Sequence, residues 1–238
     1  MNRSGGMALM WKEEVKIKQV IKTAFTIEAH VEDRETKTTS WFIGIYASCD
    51  NLIRKSQWKV VKDRKKLWGE KWIIAGDFND ILSNEEKWGG RWREENSFTD
   101  FNNFINDNQL VDIGFEGNPW TWSNNWEDVG EVRERLDRDL CCIDWSLVFD
   151  KANCKHIDTF ASDHSILMID TNPETRKRKK KWKNNSNYNA KKKINQLKSQ
   201  LEKLQSSTQT STRREIVDLK EQLKEAYKEE ELYWHQKA

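Results

Sequence analysis

The sequence predicts a mixed α/β domain over residues 1–170, followed by a helical tail. Three observations carry this. Phe25, Ile27, Ala29 and Val31 alternate with polar residues, the period of a half-buried strand. Trp72-Ile73-Ile74-Ala75 is a continuous apolar run of strand length, which suits a strand covered on both faces. Between them, Trp58, Val61 and Leu67/Trp68 fall near helical spacing, with many Lys and Arg outside.

In chain order, Trp41-Phe42-Ile43-Gly44-Ile45-Tyr46 is a second strand, and the polar stretch 32–40 before it reads as a hairpin loop. A helix follows over 54–68, then the strand at 72–75. That strand stops at Gly76-Asp77-Phe78-Asn79, which places polar groups at its carboxyl end. Ser97-x-x-Asp100 has the form of a capping box with Asp in place of Glu. Phe98, Phe101 and Ile105 then extend a helix over 97–107. Asn118-Pro119 and Asn124-Asn125 are turn chemistry around Trp120-Thr121-Trp122. Ser165–Asp170 suits a last strand.

Residues 171–190 read as a basic linker, with Pro173 and the run Arg176, Lys177, Arg178, Lys179, Lys180, Lys181, Trp182, Lys183. Over 191–238, Ile194, Leu197, Leu201 and Leu204 step at helical spacing, as do Ile216, Leu219, Leu223 and Ala226. The stretch 206–212 breaks the heptad register, so two short helices, an αα-hairpin, are expected. A helical partner bound through 194–226 is the alternative.

Composition excludes several classes. Mean hydropathy is −0.94 and 34% of residues are charged. No window reaches the ~18 apolar residues of a membrane helix. The first residues lack the apolar core and cleavage site of a secretory leader. Thirteen Trp and nine Phe argue against wholesale disorder, because such side chains carry large burial energy. Cys49, Cys141, Cys142 and Cys154 show no CxxC spacing, which argues against zinc, Cys154 and His156 included, and for a reducing compartment. The net charge of +2 hides a split: 171–238 holds 18 basic and 9 acidic residues, leaving the body at −7.

Four polar clusters sit in apolar or turn surroundings: Gly76-Asp77-Phe78-Asn79, Asn118-Pro119-Trp120-Thr121-Trp122, Arg135-Leu136-Asp137-Arg138 and Ser162-Asp163-His164-Ser165. Each alone is common. An Asp after a strand is often a loop cap, a lone His a structural hydrogen-bonder, and Arg-Leu-Asp-Arg a surface salt-bridge pattern. In this order and wording, however, the chain resembles the endonuclease/exonuclease/phosphatase superfamily with the DNase I-like fold. Within that superfamily it is similar to the apurinic-type endonuclease domain of plant LINE (non-LTR) retrotransposon polyproteins. The stretches NRSGGMALMWKEE, GIYAS, WIIAGDFNDILSNEEKWGG, GNPWTWSN, RERLDR and SDHSILM carry the likeness, over about residues 2–170. The end, EEELYWHQKA, is similar to the segment that joins endonuclease to reverse transcriptase in such polyproteins.

The resemblance implies an α/β sandwich, two mixed β-sheets face to face with helices outside, incomplete at the N-terminus. It implies Mg²⁺- (or Mn²⁺-) dependent cleavage of DNA phosphodiesters, in the nucleus, without a membrane or a small-molecule cofactor. Asp77 would orient or deprotonate the attacking water. Asn79, on the same side of an extended strand, would donate to phosphate or water. Asp163 would face the metal, and His164 would bind the scissile phosphate or act in acid–base work. Asp137 would accept the His164 ring N–H. Tyr46 matches a phosphate-side Tyr. Trp120 and Trp122 read as packing, with a DNA contact as the alternative.

Intact members carry an earlier strand ending in Asn and another ending in a metal-binding Glu. Glu13 and Glu14 do not sit in that context. The expectation is an impaired nuclease, since Mg²⁺ is held by only one or two carboxylates plus water and phosphate. Loss of those strands should also expose a sheet edge and an apolar face. Two alternatives stand beside it: a non-catalytic nucleic-acid-binding or interaction protein using the basic run 176–183, for which nuclear import is the competing role, and an active enzyme whose true start lies upstream.

Overall fold

The computed structural model describes residues 6–33, 37–126, 130–159 and 162–172, with isolated helical residues between 193 and 222. The chain divides into two units, 1–176 and 177–238. The basic run 176–183 and most of the expected helical tail lie outside the described residues.

The main sheet has six strands in the order β1-β2-β3-β4-β9-β6. They are β1 (Lys16–Lys22), β2 (Thr26–Glu32), β3 (Thr39–Tyr46), β4 (Trp72–Asp77), β9 (Asp137–Cys141) and β6 (Val111–Asp112). β2 and β3 pair antiparallel, closing the hairpin that the polar stretch predicts, with Glu32 opposite Thr39. β3 and β4 run parallel, so the chain must cross over between them. Helix α1 (Asn51–Trp68) makes that crossover.

The α1 N-terminus is capped by Asp50, whose carboxylate accepts from the Leu52 and Ile53 amides at 2.8 and 3.2 Å. Arg54, Trp58, Val61 and Trp68 make its buried stripe. The ring of Trp58 stacks on Phe101 and Phe104 of α2 (Thr99–Asn108), at 5.5 and 4.5 Å between centroids. Trp72 and Ile74 of β4 face this helical layer. Ile73 faces the opposite way, toward Cys141 of β9, Trp145 of α3 (Ile143–Val148) and Ile169 of β11 (Ile166–Asp170). The run 72–75 is thus covered on both sides, and each such Ile contributes roughly 1.5–3 kcal/mol.

β10 (Asn153–Ile157) and β11 form an antiparallel second sheet. A third, small sheet has the order β5-β8-β7, from Lys87–Trp88, Arg133–Glu134 and Trp122–Ser123.

One expectation is corrected, and one common reading falls away. Ser97 does not cap α2: a 3-10 turn over Glu95–Phe98 leads into the helix, and the Ser97 hydroxyl accepts from Arg93 Nε at 3.1 Å. Arg-Leu-Asp-Arg is not a surface pattern. Arg135, Leu136, Asp137 and Arg138 are all buried, with Arg135 paired to Asp112 at 2.8 Å and Arg138 to Glu86. Many Lys and Arg of α1 do lie outside, with Arg54 alone of its basic residues in the buried stripe.

Candidate active site

Two neighbouring strands end and a third begins at one edge of the sheet, which sets their terminal side chains in one row. Tyr46 of β3 is the register partner of Asp77 of β4, and Asp77 that of Asp137 of β9. Directly opposed residues have Cβ atoms ~4.5–5.5 Å apart, so the three side chains crowd one face. Gly76 makes this closure possible. Its φ is +135°, and a Cβ there would fall 2.3 Å from the Ile45 carbonyl oxygen.

The fourth group comes from the loop before β11. His164 Nδ1 lies 2.8 Å from Asp137 Oδ2. A carboxylate only accepts, so Nδ1 carries the proton and Nε2 is turned outward. Nε2 is 4.0 Å from Asp77 Oδ2. That separation is too long for a direct hydrogen bond and short enough for one oxygen to touch both groups. The loop is held by β7: the Ser123 amide donates to the Asp163 carbonyl at 3.0 Å, and the Ser165 amide to that of Thr121 at 2.7 Å. The buried Thr121 hydroxyl accepts from the Asp137 amide at 2.8 Å.

Asn79 does not continue an extended strand. Its φ is +50°, a left-handed conformation that folds it back onto Asp77. The Asn79 amide donates to Asp77 Oδ1 at 2.8 Å, and its side chain donates to Asp77 Oδ2 at 2.9 Å and to the Ala47 carbonyl at 2.8 Å. Cys49 Sγ donates to Asn79 Oδ1 at 3.3 Å. The two residues predicted to share a side do meet, through a turn. Both side-chain N–H donors of Asn79 are engaged within the protein.

Electrostatics separate the groups. Burial, then the charge of Asp137, push the Asp77 carboxyl up to about 7, with the Asn79 amide, His164 and Arg54 offsetting only part. Burial works against a charged His164, but the hydrogen bond and charge of Asp137, with Asp77 and Asp163 behind, outweigh it and raise its pKa. Burial also raises the Tyr46 phenol, reinforced by Asp77, Cys49 and Asp163.

Asp163 stands apart. It is exposed, and its Oδ2 accepts from Trp122 Nε1 at 3.0 Å. Among the described residues, the group whose ligand atoms lie mutually within 4.8 Å is Asp77, Asp137 and His164. Each offers one ligand atom, so the group could hold a metal ion. Asp137 also accepts from His164, and Asp77 accepts two bonds from Asn79. Mg²⁺ is typically held by one or two carboxylates, with water and phosphate filling the rest of an octahedron.

Sequence patterns alone miss some residues that build this site. Arg54 and Asp80 fix the loops after β3 and β4, and the signal was present: Arg54 lies four residues before Trp58 on the buried stripe. Trp122 both packs beside Leu136 and holds Asp163. Thr121 carries no such signal, because its hydroxyl meets a backbone amide 16 residues away. Cys154 and His156 lie on β10. The His156 ring stacks on Phe115 at 4.4 Å, and its Nδ1 lies 2.7 Å from the Asn118 carbonyl.

No protein-family model and no curated protein matches the sequence. Among solved structures, the chain is similar to the endonuclease domain of TRAS1, a telomere-specific non-LTR retrotransposon. The identity is 16% over 67% of this chain and 70% of that one, with a TM-score of 0.53. It is also similar to an endonuclease/exonuclease/phosphatase family protein from Bacteroides thetaiotaomicron (13%, 60% of this chain and 54% of that, TM-score 0.41). The human Nocturnin catalytic domain is a third (15%, 67% and 61%, TM-score 0.40). The fold is the DNase I-like α/β sandwich, shared with the TRAS1 domain.

Proposed function

We propose that this site hydrolyses phosphodiester bonds of DNA, as a retrotransposon-type endonuclease, and that its activity is weak. The observation that carries the reading is His164 held at 2.8 Å by Asp137 with its other nitrogen 4.0 Å from Asp77. Hydrolysis needs a base for water, charge for the phosphate and an acid for the leaving alkoxide. A carboxyl near 7 takes a proton from water at neutral pH. A protonated His164, stabilised by Asp137, attracts the phosphate and gives its Nε2 proton to the departing oxygen. The P–O bond to water forms, the P–O bond to the sugar breaks, and the two protons end on Asp77 and the alkoxide. Asn79 and Tyr46 shape the pocket around Asp77, and Asp163 is the remaining carboxylate near the phosphate. In this fold Mg²⁺ would add neutralisation of developing charge. Among the described residues no Glu joins the Asp77, Asp137 and His164 cluster, which supports weak turnover.

The charge of 171–198, eleven basic residues against Glu174, favours a second reading: DNA binding without cleavage. Nicking of supercoiled plasmid, with magnesium and with chelator, decides between them. Weak nicking that Asp137→Asn and Asp163→Ala each reduce supports hydrolysis. Salt-sensitive binding without nicking, lost on removing 176–183, supports the second reading and rejects the first.

A further inference from the structure

The small sheet β5-β8-β7 abuts the site without supplying a reacting group. Trp88 of β5 and Arg133 of β8 are register partners. The Arg133 guanidinium carbon lies 5.3 Å from the Trp88 ring centroid and 5.8 Å from that of Trp120, and the two rings are 6.5 Å apart. Trp88 is 45% exposed and Trp92, on the same loop, 78%. That loop is not loose. Gly89 has φ +73°, and a Cβ there would fall 2.1 Å from the Glu131 carbonyl oxygen, so the chain lies flat against the segment leading into β8. Glu131 pairs with Arg133 at 2.7 Å and fixes the guanidinium against the rings. Burying aromatic surface is strongly favourable, so two exposed indoles on a tightly seated loop are available for a ligand.

Backbone pairing ties this surface to the site. Trp122 of β7 bridges to His164, β7 pairs with β8, and β8 with β5. Neighbouring strands are ~4.8 Å apart, so Arg133 and Trp88 lie about 10 and 14 Å from the His164 segment. An unstacked single strand extends to roughly twice the ~3.4 Å per nucleotide of a stacked one, which makes this about two nucleotides. Arg133 and Lys87 are already paired to Glu131 and Glu134, so the surface offers π-faces more than free cations for phosphates. In a duplex, base faces are covered by their neighbours; in a single strand they are not.

We propose that Trp88, Trp120 and Arg133 form a stacking platform for an unpaired base of single-stranded DNA, about two nucleotides from the phosphate at His164. The assigned distance rests on the hydrolytic reading above. Stacking on indole and guanidinium tolerates any base, so the platform selects unpaired structure over sequence.

The test is fluorescence anisotropy with the full chain in chelator, on a labelled single strand and on its blunt duplex. Salt is raised so that phosphate contacts elsewhere fade. Trp88→Ala combined with Trp120→Ala is expected to weaken single-strand binding about 10- to 100-fold and duplex binding by less than about threefold. Trp88→Phe keeps a π-face and should stay within about threefold of the parent. If the double variant melts early, Trp88→Ala against Trp88→Phe carries the comparison. Equal losses on single strand and duplex, or no loss on either, overturn the platform. Plasmid nicking on the same preparations separates the two proposals. Nicking that Asp137→Asn abolishes, beside unchanged single-strand binding in the Trp variants, rejects the platform alone. Trp88-dependent binding with no nicking rejects the hydrolytic reading and the assigned distance with it.

Discussion

Arg54 of α1 grips Asp80 with two nitrogens on one carboxylate oxygen, Nε at 3.1 Å and Nη2 at 3.0 Å, and solvent reaches almost none of either side chain. Its Nη1 donates to the Ser48 and Cys49 carbonyls at 2.9 and 3.1 Å. Arg93 takes the other oxygen of Asp80 at 2.9 Å. The loop that follows β3 is thereby locked to the loop that follows β4, and Asn79 lies between them.

Removing one partner leaves a charge stranded in the interior. Asp80→Asn is expected to cost about 3–5 kcal/mol. Replacing Arg54 and Asp80 together by apolar residues of similar size should recover only part of that cost, because Arg93 and the Ser48 and Cys49 carbonyls then lose these partners. Urea unfolding of the single and double variants measures both.

Asp137→Asn keeps the shape of the side chain but removes the charge that favours protonated His164. The His164 pKa should fall, read by its imidazole NMR titration. Any plasmid nicking should drop about 10²- to 10⁴-fold, the usual worth of positioned acid–base chemistry. A nicking rate that survives with the imidazole titration displaced would remove His164 from the reaction.

The raised carboxyls and His164 should make stability decline with rising pH, against a smaller opposite contribution from His156 and His30, whose pKa burial lowers. Asp77 and Asp139 are both pushed up to about 7, chiefly by burial. Between about pH 4 and 7 the folded protein holds protons there that the unfolded chain has released, so stability falls across that window and levels off above it. His164, with a raised pKa, acts in the same direction: its contribution is present below its ordinary value and lost as pH rises through the folded one. Asp139→Asn should flatten the dependence by up to a few kcal/mol at pH 8, since each tenfold difference in proton affinity between folded and unfolded chain is worth about 1.4 kcal/mol. Urea midpoints at pH 5 and pH 8 test this, and a wild-type protein that grows more stable toward pH 8 contradicts it.

Gly76→Ala should be among the most damaging small substitutions. The added methyl meets the Ile45 carbonyl, and the backbone sits where L-residues are strained. A loss of about 1–3 kcal/mol is expected in thermal melting, with Tyr46 and Asp77 forced out of register.

Much of this architecture is legible in the sequence. Period-two alternation marks β2, and the run 72–75 announces a strand buried on both faces because every residue in it is apolar. The positions of Asp77, Asp137 and His164 follow from resemblance, and the fold brings the three together. What is not legible has physical causes. β1, Lys-Ile-Lys-Gln-Val-Ile-Lys, is an edge strand whose charged residues look like those of a loop or a helix face. β10 alternates, but through Cys154 and His156, which suggest chemistry rather than core. The buried Arg-Leu-Asp-Arg strand is hidden because charge implies exposure, and only long-range partners such as Glu86 and Asp112 reverse that inference.

The row Tyr46–Asp77–Asp137, closed by His164, draws on segments far apart in the chain. During synthesis β4 must therefore wait, one flank bare, until β9 has emerged, and the imidazole arrives later still. A nascent chain cannot close this row until His164 has been synthesised, so the cluster is among the last features of residues 1–170 to form.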